Sequence, residues 1–203
     1  MNRLIAKAGA LIVTVTVFLF ALFLMIDFIY GSYAVCLILP IGYIMLAVGF
    51  YHERKGENSS ASLLGVLFAV VYAVLIMLVY YAQLTAVSFG GLTEQAAELI
   101  DFRRGGLIFS YDLLGYGMMA LSTFFIGLTV RGRTKKDKIL KYMMIIHGFF
   151  FFPCLIMPMT GMFASGLSGG ETSGSGVMAL VCWCVYFIPI GILSFLHFNK
   201  NDD

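Results

Sequence analysis

Residues 107–138 read LIFSYDLLGYGMMALSTFFIGLTV and then RGRTKKDK, and the boundary after Val130 decides the fold. The first part can cross the roughly 30 Å of bilayer hydrocarbon, which takes about 20 residues of α-helix. The second is the most basic stretch of the chain. Short loops rich in Lys and Arg stay on the cytoplasmic side of a membrane, so this stretch anchors the span before it. Working outward in both directions, the alternation repeats. Apolar runs occupy 4–26, 34–51, 61–87, 107–130, 139–159 and 177–198, with polar breaks between them.

Composition agrees. The chain of 203 residues is 61% hydrophobic and only 12% charged, where soluble domains carry about a quarter charged residues. No soluble fold of this length has an interior large enough to hide so much apolar surface. A single membrane domain therefore accounts for residues 1–203. Arg3 and Lys7 ahead of the first run resemble the start of a signal peptide. The run behind them exceeds the apolar core of about 7–15 residues that cleavable signals have, so it reads as a retained first span.

Threaded this way, eleven of the 13 Lys and Arg residues share one side. They are Arg3, Lys7, Arg54, Lys55, Lys200 and the six within 131–141: Arg131, Arg133, Lys135, Lys136, Lys138 and Lys141. Arg103 and Arg104 are the exceptions. The expected fold is an all-α bundle of six transmembrane helices with both termini cytoplasmic. The stretch 131–141 reads as a topology determinant that meets anionic lipid, not as a nucleic-acid surface.

Outside, segment 88–106 should contain a short helix capped by Thr93 and running through Glu94, Ala97, Glu98 and Asp101. Leu92, Ala96, Leu99 and Ile100 fall near one face of it, as in a helix lying in the membrane interface. Segment 166–176 has the Gly- and Ser-rich composition of a flexible coil. Two echoes point to three repeated helical hairpins. Gly42-Tyr43-Ile44-Met45-Leu46-Ala47 resembles Gly115-Tyr116-Gly117-Met118-Met119-Ala120, and Pro40-Ile41-Gly42 recurs as Pro189-Ile190-Gly191.

Polar residues inside apolar runs are the functional candidates, because an Asp at the centre of a span costs roughly 2.5–3.5 kcal/mol on insertion scales. Asp112 stands out, with Tyr116 four residues on over the same helix face. Tyr80, Tyr81 and Gln83 reach a similar depth in span three, and Asp27 closes span one on that side. Arg103 and Arg104 lie just upstream, where either can neutralise Asp112 or Asp27. The cluster reads as a pocket for a small polar or cationic ligand, or as a station on a proton path with His147. The competing reading is that tyrosines favour membrane interfaces and that Asp–Arg or Asp–Tyr contacts lock helices together.

His147, with His52 and His197 nearer the cytoplasmic surface, raises a haem or metal site. No carboxylate is clearly placed to orient His147, and no metal or other cofactor is expected. The cysteines Cys36, Cys154, Cys182 and Cys184 all sit in apolar runs. Cys182 and Cys184 point about 200° apart around a helix, so they read as small buried hydrophobes rather than a ligand pair. Pro153 and Pro158 interrupt span five after Phe149-Phe150-Phe151-Phe152, as a kink or a transporter-like hinge. No phosphate-loop, dinucleotide, HExxH or nucleophile-elbow motif is present, and no catalytic residues are assigned.

With Tyr80-Tyr81-Ala82-Gln83-Leu84-Thr85, Asp112-Leu113-Leu114-Gly115-Tyr116 and Leu121-Ser122-Thr123-Phe124 in view, the chain resembles small six-span bacterial membrane proteins of uncharacterised activity. The likeness is best over spans three to five. It implies the six-helix layout and an inner-membrane address. More loosely, Ala6 and Ala10 make the chain similar to the substrate-binding subunits of energy-coupling-factor transporters, which use Ala-x-x-x-Ala contacts. That likeness implies a membrane-protein partner, and a homo-oligomer is the other arrangement to consider. The leading expectation is small-molecule binding or transport through the outer polar cluster. The alternatives are a structural or regulatory membrane partner without a ligand, and a membrane enzyme acting on lipid.

Overall fold

A computed structural model of the protein describes residues 1–53, 59–161 and 174–199. The breaks carrying Arg54 and Lys55, most of the Gly- and Ser-rich segment, and Lys200 lie outside the described residues. Among those described there is no strand. The helices are α1 (Asn2–Met25), α2 (Ile29–Glu53), α3 (Ser59–Ala82), α4 (Glu94–Ile100), α5 (Leu107–Thr129), α6 (Lys135–His147), α7 (Phe151–Met159) and α8 (Gly174–Phe198). Six stretches are long and apolar enough to cross a membrane: Asn2–Met25, Ile29–Glu53, Ser60–Val87, Leu107–Thr129, Lys135–Met159 and Leu180–Phe198. The third ends in a π-helical turn over Gln83–Val87, and the fifth is α6 and α7 in series.

The spans close a ring in chain order. α1 packs on α2, α2 on α3, α3 on α5, α5 on α6 and α7, α6 on α8, and α8 returns to α1. Lipid gives apolar helices no reason to associate, so small residues and polar pins must hold them together. Both are present. A Cβ built on Gly9 would meet the backbone of α2 at Leu46 N (2.6 Å) and Gly42 O (2.7 Å). Gly49 lies against Ala6 in the same way, and Gly191 of α8 lies against Thr14. α1 is thus held on one side through Gly42 and on the other through Gly191, the two glycines of the Pro-Ile-Gly echo. One polar pin joins three helices: the Tyr43 hydroxyl donates to Ser122 Oγ at 2.9 Å, and Ser122 donates to Gly65 O at 2.6 Å.

Lys7 Nζ donates to Asn199 Oδ1 at 2.8 Å, so the first and last spans have their termini at the same end of the bundle. Helix alternation puts Arg3, His52, residues 131–141 and His197 there as well, and we refer to it as the basic end. Asp27 and segment 88–106 mark the other, the loop end.

Three boundaries differ from expectation. α2 starts at Ile29 rather than near 34, because the chain reverses at Asp27 in a left-handed conformation (φ 56°) and Phe28 packs edge-on against Phe23. α6 starts at Lys135, so half of the stretch read as a basic loop is helical. A capping box explains this: Thr134 Oγ1 accepts from Asp137 N, and Asp137 accepts from Thr134 N. In span five the α-helix gives way to a 3-10 turn over Gly148–Phe150. Pro153 has no N–H for the carbonyl four residues back, and it sits in the first turn of α7 where that loss is tolerated.

Candidate functional site

The loop-end half of the interior is built from α2, α3, α5, α7 and α8 around Asp112. Asp112 is only 2% exposed. The Tyr80 hydroxyl hydrogen-bonds its carboxyl, while Oδ1 has no partner among the described residues. Tyr33 and Cys36 of α2, Tyr72 of α3, Tyr116 of α5 and Cys154 of α7 lie within reach of its charge. The Tyr72 hydroxyl is likewise buried and without a partner. Cys36 Sγ is 4.0 Å from the Tyr116 hydroxyl. Rings continue from this group in both directions. Tyr116 meets Trp183 edge-on at 5.1 Å, and Tyr33 and Tyr80 both face Phe102 at about 6 Å.

Of the residues expected to cluster, Asp112, Tyr80 and Tyr116 come together. Tyr81 does not; it faces away from the bundle and is 63% exposed. Asp27 is exposed at the reversal between α1 and α2. Gln83 is buried but looks toward the loop end, where it works as a clasp. Its Nε2 donates to Ile100 O at 2.8 Å and its Oε1 accepts from Phe102 N at 3.0 Å. Those two bonds fix the turn Phe102–Arg104 and set Phe102 over Tyr33 and Tyr80.

Arg103 and Arg104 pair with acids of their own segment, not with Asp112 or Asp27. Arg103 makes a two-pronged contact with Asp101 (3.2 and 3.1 Å), and Arg104 bonds Glu94 and Glu98. The reason is local. A 3-10 turn directly after a short helix brings residues two, six and ten positions apart within side-chain reach. Arg104 holds the Glu94 carboxyl below its ordinary value of 4.5, and these acids in turn raise both guanidinium groups above their ordinary value. Thr93 caps α4 as expected, its side chain accepting from Ala96 N.

His147 lies about 18 Å along span five from Lys135 at 1.5 Å per residue, near the middle of the bundle. Trp183 Nε1 donates to its Nε2 at 3.0 Å, and Nδ1 is 2.7 Å from Thr123 Oγ1. Thr123 donates onward to Ala120 O. Indole nitrogen only donates, so Nε2 is an acceptor and the proton sits on Nδ1. Both ring nitrogens are used, which leaves none for a metal or haem iron. Indole cannot accept a proton either, so the Trp183 contact is no relay between His147 and the Asp112 group.

A second cluster at the basic end went unread in the sequence. His197 Nδ1 is 2.8 Å from Asp137 Oδ1, and its Nε2 is 2.6 Å from Glu53 Oε2. It ties α2, α6 and α8 together. The signal that could have found half of it is Thr134-x-x-Asp137 ahead of an apolar run. Tyr72 and Tyr33 were likewise missed, because nothing in their neighbours separates an inward-facing tyrosine from a lipid-facing one. No set of His, Cys, Asp and Glu among the described residues suits a metal ion.

Fold and site together define an all-helical, multi-pass membrane protein. Among known proteins, no family model, curated protein or solved structure matches the chain.

Proposed function

We propose that the protein binds a small molecule at Asp112 and moves it across the membrane. The observation that carries this reading is a buried carboxyl with one oxygen unpartnered, beside a buried phenol that is also unpartnered. An ionisable group at such depth is costly and usually serves a substrate or ion pathway. The proposed address is the bacterial inner membrane with the basic end cytoplasmic, supported by the gathering of basic residues there. Arg131, Arg133, Lys135, Lys136 and Lys138 are all exposed, which suits contact with anionic headgroups.

A second reading, a ligand-free partner protein whose polar groups only fix helix packing, is favoured by the fully satisfied His147 and by the Tyr43–Ser122–Gly65 pin. Water access to Asp112 separates the two. Asp112→Cys would be made in a background with the four native cysteines replaced by alanine. It would then be treated, folded and in detergent, with trimethylammonium-ethyl and sulfonatoethyl methanethiosulfonate. Binding or transport predicts modification by at least one charged reagent. A folded variant that resists both until denatured refutes the reading.

A further inference from the structure

Among the described residues Asp112 has no positive partner. The nearby guanidinium groups are committed to Asp101, Glu94 and Glu98, and His147 is held by Trp183 and Thr123. Among the described residues the titratable groups within reach of its charge are four phenols and two thiols: Tyr33 and Cys36 from α2, Tyr72 and Tyr80 from α3, Tyr116 from its own helix, and Cys154 from α7. None of these carries a positive charge in any protonation state. A buried carboxylate left without compensation is very costly, so the site is neutral only when a single positive charge sits on it. A proton on the carboxyl meets that condition. So does one monovalent cation, and both together exceed it.

The surroundings decide which cation. Hard inorganic ions such as Mg²⁺ and Ca²⁺ want six or more oxygen ligands, and no second carboxylate joins Asp112 among the described residues. Aromatic faces are abundant instead: Tyr72 and Tyr116 are 5.9 Å apart centre to centre, and Trp183 follows Tyr116. Ring faces attract ammonium groups, with Trp and Tyr the strongest partners.

Resting on the binding reading above, we propose that the occupant is a monovalent organic ammonium ion that exchanges with a proton on the Asp112 carboxyl. The O–H bond of the acid breaks, its proton passes to water, and the carboxylate formed pairs with the cation. No electrons are exchanged. Carrying the proton in one direction and the cation in the other would leave the site neutral in both crossings.

Trp183 is the only tryptophan of the chain and meets Tyr116 edge-on, so its emission reports on the neighbourhood of this site. The full-length protein in detergent and weak buffer would be titrated with methylammonium, choline and benzyltrimethylammonium, following emission and proton release with an indicator dye. At a pH below that at which the free site loses its proton, the expected result is saturable binding of at least one cation with one proton released per cation. Its affinity should fall about tenfold for each unit of pH on the acid side, as one-for-one competition requires. Asp112→Asn should abolish the proton release, and the neutral tert-butyl isostere of choline should bind at least tenfold more weakly. Binding without proton release, equal binding by Asp112→Asn, equal binding of the isostere, or no binding by any of the three cations each overturns the proposal. If any of these occurs while the engineered cysteine is modified by the charged reagents, the binding reading survives and only the cation exchange fails.

Discussion

Trp183 donates its indole N–H to Nε2 of His147 at 3.0 Å, and this bond settles which nitrogen of the ring carries the proton. The imidazole is a structural crosslink between span five and span six. His147→Phe should leave the indole N–H unsatisfied and cost about 1–3 kcal/mol. Adding Trp183→Phe should recover much of that loss, since removing both partners is nearly neutral. Thermal unfolding of the two single variants and the double variant in detergent measures the coupling. A chelator should leave the unfolding temperature of the native protein unchanged, because neither ring nitrogen is free.

Gln83 holds the turn after α4 through two bonds to backbone. Gln83→Leu should raise backbone amide exchange across 94–104 by at least tenfold while the spans keep their protection. Phe102 should lose its seat over Tyr33 and Tyr80 in the same variant. Hydrogen exchange read by mass spectrometry distinguishes this local release from global unfolding.

At the basic end, His197 bridges Asp137 and Glu53. With both carboxylates ionised, each ring nitrogen must donate, since carboxylates only accept. His197→Ala removes the ring nitrogen from Asp137 Oδ1 and leaves Oδ2 bonded to Thr134, in a carboxylate that is 2% exposed. The expected destabilisation is about 1.5–3 kcal/mol, the usual range for a bond to a charged group. His197→Gln, which keeps one donor, should lose less.

Close helix approach makes a sharper demand. Gly9→Ala would put a methyl group 2.6 Å from the Leu46 amide nitrogen, where backbone cannot give way. Gly117→Ala meets nothing closer than the Cys154 Cβ at 3.3 Å, a snug contact that is relieved by a shift of a few tenths of an ångström. The first should cost about 1–3 kcal/mol or prevent assembly, as overpacking does, and the second should be nearly silent. Yield and unfolding temperature of the folded fraction report both.

Acid should loosen α4. Arg104 lowers the pKa of Glu94, so that pair contributes stability that is full above 4.5 and is lost as pH falls below it. Protection of the α4 amides, taken relative to their intrinsic exchange rate at each pH, should therefore fall on acidification below that point. Arg104→Gln should remove this pH dependence.

Much of the layout was legible because membrane insertion is a property of local segments. Length and hydropathy select spans one at a time, and Thr93 caps α4 by contacts three residues away. The basic stretch misled at its far edge, since the Thr134–Asp137 capping box extends span five through the lysines that hydropathy assigns to a loop. The site was half legible. Asp112 stood out because polarity is rare in a span, and Tyr116 follows it by helical periodicity. Its other neighbours could not be read, because Tyr33, Cys36, Tyr72 and Cys154 come from three other helices whose rotation no local pattern reports.

By itself, then, the sequence determined that six helices are long and apolar enough to span a membrane, where they begin and end to within a turn or so, and that one carboxyl lies deep among them. Only the tertiary structure decided what that carboxyl faces. It sent Arg103 and Arg104 to acids of their own segment, turned Gln83 toward the loop and Tyr81 outward, and left Asp112 with Tyr80 and an open oxygen. The physical reason is that insertion depends on how apolar each segment is. Partnership depends on how the inserted helices rotate and pack, and that is set by small residues such as Gly9, Gly42 and Gly191 acting across the ring.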